Sequence, residues 1–490
     1  MTASIKAGLD AHVVRDLRSI VGARGLLTAP EDLRTYECDG LTNFRAIPRA
    51  VLLPSSAEEV QGIVRVCHRE RIPFVARGAG TGLSGGALPV ADGVVISLAR
   101  MNRILEVDLA NARVLVEPGV INLDVTGCVA AQGYFYAPDP SSQSVCTIGG
   151  NVAENAGGAH CLKYGFTTTH VLGLEVVLPD GTLAHLGGKT LDAPGYDLAG
   201  VFVGSEGTLG IATKITLRIM KRPDCVQTLL AAFASTNEAG AAVSDIIAAG
   251  MLPAAIEMMD NLALQAAEAA VHPGYPSCGA LLLVELDGPD AEVNALMEQV
   301  DALCRQNGSW EIRVAQSDAE RALVWKGRKS AFAAVGRIST NYIVQDGVIP
   351  RTALPQVMSE IERLSAAAGL RVANVFHAGD GNLHPLVCYD ARIPGQEEAA
   401  FALSERILGL CIEQGGSITG EHGVGEEKKH MMAKMFAEPD LATMQRVRCA
   451  FDPLQLSNPT KVFPRPRLCG ETPGEYSPHP LELAGVAERF

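Results

Sequence analysis

Short apolar runs and apolar stripes of helical spacing alternate along most of the chain after residue 50. AVLLP, beginning at Ala50, and PFVAR, beginning at Pro73, have the length and continuous apolar character of buried strands. Ser55 precedes Glu58 by three residues, which is the signature of a capping box and predicts a helix over 56–69. Apolar side chains recur on one face of that segment: Val60, Ile63, Val64 and Cys67. Further strand-like runs cover 94–98, 104–108, 112–118 and 214–219.

The pattern changes after Arg222-Pro223, where strands alternate with longer helices. The stripes predict helices over 290–306, 354–368 and 396–414, with Gly369 ending the second. The strands expected between and around them are 280–286, 371–377 and 383–389. This order of elements predicts α+β layers of the ferredoxin-like type.

The change of pattern divides the chain into four predicted parts. Residues 1–46 form a helical lead-in, and residues 47–223 form a first α/β domain rich in glycine clusters. Residues 224–425 form the α+β domain. Residues 426–490 contain a helical segment and a proline-rich tail, which we expect to pack back on the first domain.

Charge and cysteine usage exclude several classes of protein. The 490 residues carry 41 basic and 55 acidic side chains, a net charge of −14, which argues against nucleic-acid binding. No apolar run reaches the ~18 residues of a membrane span, and the N-terminus lacks a signal-peptide core, so we expect a cytoplasmic protein. The 12 cysteines are scattered without a C-x-x-C pair, which excludes a disulfide framework, a zinc ribbon and an iron–sulfur ligand run.

The densest glycine cluster, RGAGTGLSGG over 77–86, directly follows a predicted strand. Glycines allow a ligand to approach the backbone closely, and consecutive N–H groups form an anion-binding concavity. The cluster therefore predicts a cradle for a diphosphate. A nicotinamide-type Rossmann loop is rejected, because that motif opens a helix, and Gly85, Gly86 and Pro89 oppose one here.

Two later clusters extend this site. The stretch 138–158, PDPSSQSVCTIGGNVAENAGG, mixes small residues with Asn and Thr, which suit a flat ring lying against backbone. The stretch 204–210, GSEGTLG, is the third. The order and spacing of the three clusters, more than any one of them, indicate a nucleotide cofactor site.

Histidine and glutamate residues form a second constellation, in HAGDGNLHP over 377–385 and GEHGVGEEK over 420–428. A four-residue GDGN loop would pair His377 with His384 across a hairpin, with Cβ atoms about 5 Å apart. Two such imidazoles can chelate a divalent metal, and Glu421 could complete the ligand set. His422 would then be free to accept a proton near neutral pH.

These motifs resemble one family over nearly the whole chain. RGAGTGLSGGA, then PDPSS…IGGNVAENAGG…KYG, then GSEGTLG, are similar to the flavin-binding half of FAD flavoproteins of the vanillyl-alcohol-oxidase type. YECDG at 36–40 and GRKSAFAAVGRIS at 327–339 are similar to FAD-linked catalytic subunits of bacterial glycolate oxidases, which are close to D-lactate and D-2-hydroxyglutarate dehydrogenases. The resemblance implies a two-lobed FAD-binding domain with a ferredoxin-like α+β cap.

The resemblance also implies roles for individual residues. It implies non-covalent FAD, because the RGAGTG run fills the loop position where some relatives carry a flavin-linked histidine. It implies a divalent metal, with zinc expected, on His377, His384 and Glu421, and catalysis by His422 and Arg328, the latter holding a substrate carboxylate with Arg337 as the fallback. The implied cofactor-binding residues are Arg77, Gly78, Ala79, Gly80, Thr81, Gly82, Ser84, Gly85, Pro138, Ser141, Thr147, Gly149, Gly150, Asn151, Gly157, Glu206, Gly207, Ile211 and Asn458.

The expected reaction is oxidation of a small 2-hydroxy acid, glycolate to glyoxylate, with D-lactate to pyruvate as the alternative. No Lys or Arg lies between Arg337 and Arg351, which favours a monocarboxylate over a dicarboxylate. The methyl group that separates the two substrates is worth only ~1–3 kcal/mol of discrimination, so the choice between them stays open. A non-catalytic FAD-binding subunit and a zinc hydrolase without flavin are competing hypotheses.

The chain has no C-x-x-C-H haem motif and no iron–sulfur ligand run, so electrons must leave to oxygen, a quinone or a partner protein. The resemblance implies a complex with a second FAD-binding subunit and an iron–sulfur subunit. Through these partners the protein could associate peripherally with the inner face of the cell membrane.

Overall fold

The computed structural model describes residues 8–190, 195–465 and 469. Their strands form a 4-stranded, a 5-stranded, a 2-stranded and an 8-stranded sheet. None of the helices in these ranges is long and apolar enough to cross a membrane. Single turns of 3₁₀ helix cover Ala23–Gly25, Ala130–Gln132, Thr167–Thr169, Arg351–Ala353 and Lys429–Met431.

The first lobe is built on the 4-stranded sheet. Its strands are β1 (Leu26–Leu27), β2 (Ala50–Leu52), β3 (Phe74–Arg77) and β4 (Val94–Ser97), in the order β1-β2-β4-β3. Its helices are α1 (Ala11–Val21), α2 (Pro30–Arg34) and α3 (Ala57–Glu70). The lead-in predicted to be helical also contains a strand, β1, which pairs with β2 and extends the sheet. The predicted cap of α3 is wrong by one residue: Ser56 accepts from the Glu59 N–H, at 3.3 Å.

The second lobe is an antiparallel sheet in the order β5-β6-β10-β8-β9, with β7 and β11 paired beside it. The strands are β5 (Ile104–Asp108), β6 (Arg113–Val116), β7 (Tyr134–Phe135), β8 (Val171–Val177), β9 (Leu183–Gly187), β10 (Ile211–Arg218) and β11 (Met220–Lys221). The helices are α4 (Asn122–Val129), α5 (Ile148–Glu154), α6 (Cys161–Tyr164) and α7 (Leu198–Phe202). The second glycine-rich cluster runs from the loop before α5 into that helix, which Thr147 caps.

The third unit, called the cap below, is an antiparallel sheet in the order β15-β12-β14-β13-β18-β19-β16, with β17 also paired to β19. Its strands are β12 (Cys225–Phe233), β13 (Ala255–Asp260), β14 (Ala280–Gly288), β15 (Glu311–Val314), β16 (Asn341–Val344), β17 (Gly347–Val348), β18 (Arg371–His377) and β19 (Asn382–Tyr389). Its helices are α8 (Thr236–Ala248), α9 (Asn261–Val271), α10 (Asp290–Gln306), α11 (Asp318–Val335), α12 (Leu354–Ala368) and α13 (Gln396–Glu413).

Apolar cores cover both faces of the cap sheet. Helices α8, α10, α12 and α13 supply one core, and α9 and α11 supply the other. Both faces are covered, so the central strand β14 is almost continuously apolar and buried. The predicted helices over 290–306, 354–368 and 396–414 match α10, α12 and α13, the last with its end at Glu413. Gly369 ends α12 in the left-handed region, as predicted.

The chain finally returns to the first lobe. After α14 (Met432–Met435) and α15 (Glu438–Phe451), the segment 455–458 lies beside β3. There the Phe74 N–H donates to the Leu456 carbonyl, and the Asn458 N–H donates to the Phe74 carbonyl. Cys449 is disulfide-bonded to Cys469, a pairing that the scattered cysteine pattern does not signal. The remaining tail residues of the predicted C-terminal part lie outside the described residues.

Candidate active site

A cavity of about 370 Å³ lies where the two lobes meet α11 of the cap and the 420–428 loop. All three glycine clusters contribute to its wall, and so do Glu421 and His422. The predicted cofactor-binding residues that line it are Arg77, Gly78, Ala79, Gly80, Thr81, Gly82, Ser141, Thr147, Gly149, Gly150, Asn151, Glu206, Gly207 and Ile211. Glu421 and His422 therefore share one cavity with the glycine clusters, whereas His377 and His384 do not line it.

Five other predicted cofactor residues do not line this cavity: Ser84, Gly85, Pro138, Gly157 and Asn458. Asn458, for example, donates from Nδ2 to the carbonyls of Gly86 and Glu206, at 2.8 and 2.6 Å. It thereby ties the first glycine cluster to the third. Their roles as direct cofactor contacts stay predictions.

The first glycine loop has the shape of a ligand cradle. A Cβ at Gly78 would lie 2.3 Å from Oγ1 of Thr147, and a Cβ at Gly80 would lie 2.2 Å from Nη2 of Arg77. Gly80 also has a φ of +71°, which side-chain-bearing residues rarely adopt. Side chains at Gly78 and Gly80 would therefore collide with Thr147 and Arg77, and glycine keeps this part of the cavity wall open. The cavity volume is within the range of small-molecule and cofactor sites, and the loop fits the diphosphate of a dinucleotide.

The histidine hairpin has a different register from the predicted one. Its four-residue loop is 378–381, so His377 lies opposite Asn382, and His384 lies opposite Val375. The expected direct pairing of His377 with His384 is wrong by two positions. Because a shift of two keeps both side chains on one sheet face, they become diagonal neighbours that still meet. Their ring centroids are 5.1 Å apart.

His377, His384 and Glu421 converge with the geometry of a metal-ligand set. Oε1 of Glu421 lies 3.3 Å from Nε2 of His377 and 3.1 Å from Nε2 of His384. The far nitrogens are occupied: Nδ1 of His377 faces Glu257 at 2.8 Å, and Nδ1 of His384 faces the Gln345 carbonyl at 3.2 Å. Metal-binding histidines are oriented in this way by an acceptor on their other nitrogen.

Two buried atoms at the centre of this set lack a hydrogen-bond partner among the described residues: Nε2 of His384 and Oε2 of Glu421. Unpaired buried polar atoms are costly, so a convergent pair of them fits a cation that would satisfy both. Burial opposes protonation of His377, but Glu257 and Glu421 outweigh it and raise its pKa. The site therefore favours positive charge at this point.

A second set of possible ligands, Asp346, His384 and His422, overlaps the first. Two of its three groups are already engaged. Nδ1 of His384 faces the Gln345 carbonyl, and Oδ2 of Asp346 accepts the N–H groups of Gly420 and His422, at 3.0 and 2.8 Å. The first set fits a cation better, because Asp346 of the second set already accepts backbone N–H groups, whereas Oε2 of Glu421 has no partner among the described residues.

His422 stacks on His384, with ring centroids 4.9 Å apart and planes 16° apart. Burial lowers the pKa of His422 to about 4, so its imidazole is neutral at pH 7. Its buried Nδ1 has no hydrogen-bond partner in the described part of the chain. This neutral imidazole of a cavity-lining residue can accept a proton, and its low pKa means that it releases the proton again readily.

Two carboxylates hold the 420–428 loop in place, and sequence reasoning did not assign this role to either. Asp346 accepts from the backbone of Gly420, Glu421 and His422. Glu206, predicted as a cofactor contact, lines the cavity but uses its carboxylate to accept from the N–H groups of Val424 and Gly425, at 2.6 Å each. The loop is thus fixed from the cap and from the second lobe.

Arg328 lies next to the histidine constellation but does not line the cavity. Its side chain is 2% exposed, and Nη2 lies 2.5 Å from Oε2 of Glu257, the carboxylate that faces His377. The guanidinium stacks near Phe332, whose ring contacts His384. Its predicted role as a carboxylate anchor stays a prediction, and Arg337, the fallback, donates to the Ala269 carbonyl.

A polar chain joins the second glycine cluster to the cap. Nδ1 of His160 lies 2.9 Å from Asp139, and its Nε2 lies 3.0 Å from Glu285 of β14. Burial opposes protonation of His160, but the two carboxylates outweigh it and raise its pKa to about 10. His160 is therefore an imidazolium between two anions at neutral pH.

This linkage predicts how stability depends on pH. The pKa of His160 is raised in the folded state. The stabilising contribution of its ion pairs to the free energy of unfolding is therefore complete below about pH 6.5 and is lost as pH rises towards 10. Replacing His160 with Gln should therefore cost on the order of 2 kcal/mol at pH 6 and much less at pH 10. Denaturant unfolding of both proteins across this range measures the difference. A cost that is the same at both pH values would contradict the assignment.

The chain is similar to known protein families and to individual proteins. Residues 48–187 match an FAD binding domain, and residues 222–462 match the C-terminal domain of FAD linked oxidases. Glycolate oxidase subunit GlcD of Escherichia coli (strain K12) is 50% identical over 94% of this chain and 92% of that protein. GlcD of Bacillus subtilis is 40% identical over 87% and 92%. A D-lactate dehydrogenase of Anaerostipes hadrus is 33% identical over 85% and 90%.

Solved structures show the same fold at low identity. A 4-ethylphenol oxidase from Gulosibacter chungangensis superposes with a TM-score of 0.77 and 20% identity, over 94% of this chain and 99% of that one. A p-cresol methylhydroxylase superposes with a TM-score of 0.76 and 17% identity, over 92% and 96%. These two confirm the architecture of lobes and cap that the sequence predicts.

Proposed function

The chain belongs to the family of FAD-linked oxidases, and from this premise we propose that it oxidises glycolate to glyoxylate with FAD as the cofactor. The observation that carries the proposal is the single cavity, which runs from the first glycine loop to Glu421 and His422. A cofactor cradle and a proton acceptor in one cavity are what oxidation of an alcohol requires. The greater identity to glycolate oxidase subunits than to D-lactate dehydrogenases favours glycolate.

Oxidation of a 2-hydroxy acid removes a proton from oxygen and a hydride from carbon. FAD held by the three glycine clusters would supply the hydride acceptor. His422 accepts the hydroxyl proton at its unpaired Nδ1, because burial keeps the imidazole neutral. Asp346 and Glu206 hold the backbone on either side of His422, so the imidazole is oriented before the substrate arrives.

The metal belongs to this proposal as well. His377, His384 and Glu421 would hold a divalent cation. We propose zinc, because zinc prefers imidazole and carboxylate ligands. Such a cation supplies Lewis-acid polarisation of the substrate's hydroxyl. Glu257 orients His377 and the Gln345 carbonyl orients His384, so both rings present Nε2 to the centre.

The electrons taken from the substrate need a final acceptor. We propose a partner protein as the acceptor, in a complex with a second FAD-binding subunit and an iron–sulfur subunit. The support is that the relatives in Escherichia coli and Bacillus subtilis are subunits of glycolate oxidase. The FAD is proposed to be non-covalent, since the first glycine loop occupies the position of the flavin-linked histidine of some relatives.

An anaerobic absorption spectrum of the purified protein tests the proposal. We expect flavin bands that bleach on addition of glycolate, with D-lactate reducing the flavin at least several-fold more slowly. A marked preference for D-lactate would replace glycolate by the alternative substrate. A protein that takes up no flavin when FAD is added would contradict the oxidase function and favour a hydrolase.

The same titration after chelation tests the metal. We expect the flavin bands to persist and reduction by glycolate to fall at least tenfold, with recovery on adding Zn²⁺. Because the cradle and the histidine constellation are separate groups of residues, FAD should stay bound. Undiminished reduction by a protein shown by elemental analysis to be metal-free would contradict the metal site.

A further inference from the structure

The carboxyl group of Glu154 lies between the first glycine cluster and the 420–428 loop. Glu154 is the last residue of α5, which belongs to the second glycine cluster, and it lines the cavity. A Cβ at Gly86 would lie 2.6 Å from its Oε1, and a Cβ at Gly423 would lie 2.2 Å from its Oε2. The carboxyl group is therefore packed against backbone on two sides, within the wall of the cofactor cavity.

A second carboxyl group, that of Glu206 in the third glycine cluster, lies beside it. The same Cβ at Gly423 would lie 2.9 Å from Oε1 of Glu206, so the two carboxyl groups are close to one point. Glu206 accepts from the N–H groups of Val424 and Gly425, which favours its ionised form. Oε2 of Glu154 is buried and has no hydrogen-bond partner among the described residues. Because two neighbouring carboxylates repel each other, the proton belongs on Glu154.

The surroundings of Glu154 favour its neutral form. Burial is the largest effect and raises its pKa well above the usual value, and the charges of Glu206, Asp39 and Asp346 raise the pKa further. Lys428 acts in the opposite direction, but its Nζ already donates to Oδ2 of Asp346, at 3.5 Å. A neutral carboxyl group can donate a hydrogen bond, whereas a carboxylate can only accept one.

We propose that Glu154 is protonated in the working protein and donates its O–H to an acceptor on the isoalloxazine ring of FAD. The inference rests on the proposed function, which makes FAD the ligand of this cavity. The loop at 77–82 fits the diphosphate, whereas Glu154 lies beside Gly423, the neighbour in sequence of the proton acceptor His422. The ring, with its carbonyl oxygens and nitrogens, is therefore the partner. A buried carboxylic acid that is kept neutral can serve as a hydrogen-bond donor in this way.

Infrared spectroscopy tests the protonation directly. At neutral pH the wild type should show the C=O stretch of a protonated carboxyl group that Glu154→Gln lacks, and adding FAD to the apoprotein should shift this band. Glu413→Gln is the matched control, because Glu413 also ends a helix but its side chain is 53% exposed and pairs with Arg406. The control should keep the wild-type band. If wild type and Glu154→Gln have the same spectrum in this region, Glu154 is ionised and the proposal is overturned. A band that bound FAD does not shift overturns the hydrogen bond to the ring.

The dissociation constant of FAD, measured from flavin fluorescence during titration of the apoprotein, tests the contact. Glu154→Gln keeps a neutral donor of the same length and should bind FAD nearly as tightly as the wild type. Glu154→Leu removes the donor and should bind FAD roughly 3- to 10-fold more weakly, which is the net contribution of one hydrogen bond.

Two results of this titration would overturn the proposal. One is that Glu154→Gln weakens FAD binding as much as Glu154→Leu, which would mean that a neutral donor is not what the cofactor needs. The other is that both variants bind FAD like the wild type. If the wild type itself takes up no FAD, the proposed function fails instead, and the infrared comparison of the apoproteins still decides whether Glu154 holds a proton.

Discussion

Replacing His422 with Gln should slow the reduction of bound FAD by glycolate by roughly 10²- to 10⁴-fold, which is the usual contribution of a positioned general base. The side chain lies in the cavity wall, its Nδ1 is unpaired, and its imidazole is neutral at pH 7. Glutamine has a similar size but cannot take up a proton. Anaerobic stopped-flow measurement of flavin bleaching gives the rate directly.

FAD content and unfolding should stay close to wild type in this variant, since the cradle is built from other residues. His430→Gln is the matched control: that imidazole is exposed, pairs with Glu405 and should be dispensable. Reduction at the wild-type rate by the His422 variant would remove the proton acceptor from the mechanism.

Replacing Asp346 with Ala should destabilise the protein by about 3–5 kcal/mol, the cost of removing one partner of a buried ion pair. Asp346 is fully buried, and Nζ of Lys428, also buried, lies 3.5 Å from it. Burial opposes ionisation of Asp346, but neighbouring cationic groups outweigh it and hold its pKa well below the usual value. Without the carboxylate, three backbone N–H groups and the hydroxyl of Thr419 lose their acceptor.

The midpoint of denaturant unfolding measures this loss. Glycolate-driven flavin reduction should fall as well, because the backbone of Glu421 and His422 is no longer fixed. Asp301→Ala makes the same change at an exposed pair with Arg305 and should cost no more than about 0.5 kcal/mol. A loss of less than about 1 kcal/mol for the Asp346 variant would mean that the loop is held by its other contacts.

Local signals account for the part of the site that could be predicted from sequence. Glycine loops at 77–82 and 149–150 act through their own backbone, so their composition already reports their function. The histidine hairpin shows the limit of this reasoning. Its strands were predicted, but the sequence is equally consistent with two four-residue loops, 378–381 and 379–382. Only the strand register in the structure selects the first.

Residues that act through tertiary contacts carried no such signal. Asp346 lies between β16 and β17 in an unremarkable run, and its role depends on a loop more than 70 residues away. Glu257 belongs to β13. Its contact with His377 follows from the pairing of β13 with β18, which the sequence does not reveal. Arg328 and Lys329 are neighbours in α11 and point about 100° apart, and only the packing of the helix decides which of them meets Glu257.

The return of residues 455–458 to β3 has a consequence for any attempt to dissect the protein. The nucleotide-binding unit is discontinuous in sequence, since Asn458 spans the first and third glycine clusters from the far end of the chain. An expression fragment that stops at the domain boundary near residue 223 would lack Asn458 and its hydrogen bonds to both clusters. It would also leave the edge of β3 unpaired. The cofactor half becomes complete only after the rest of the chain has been synthesised.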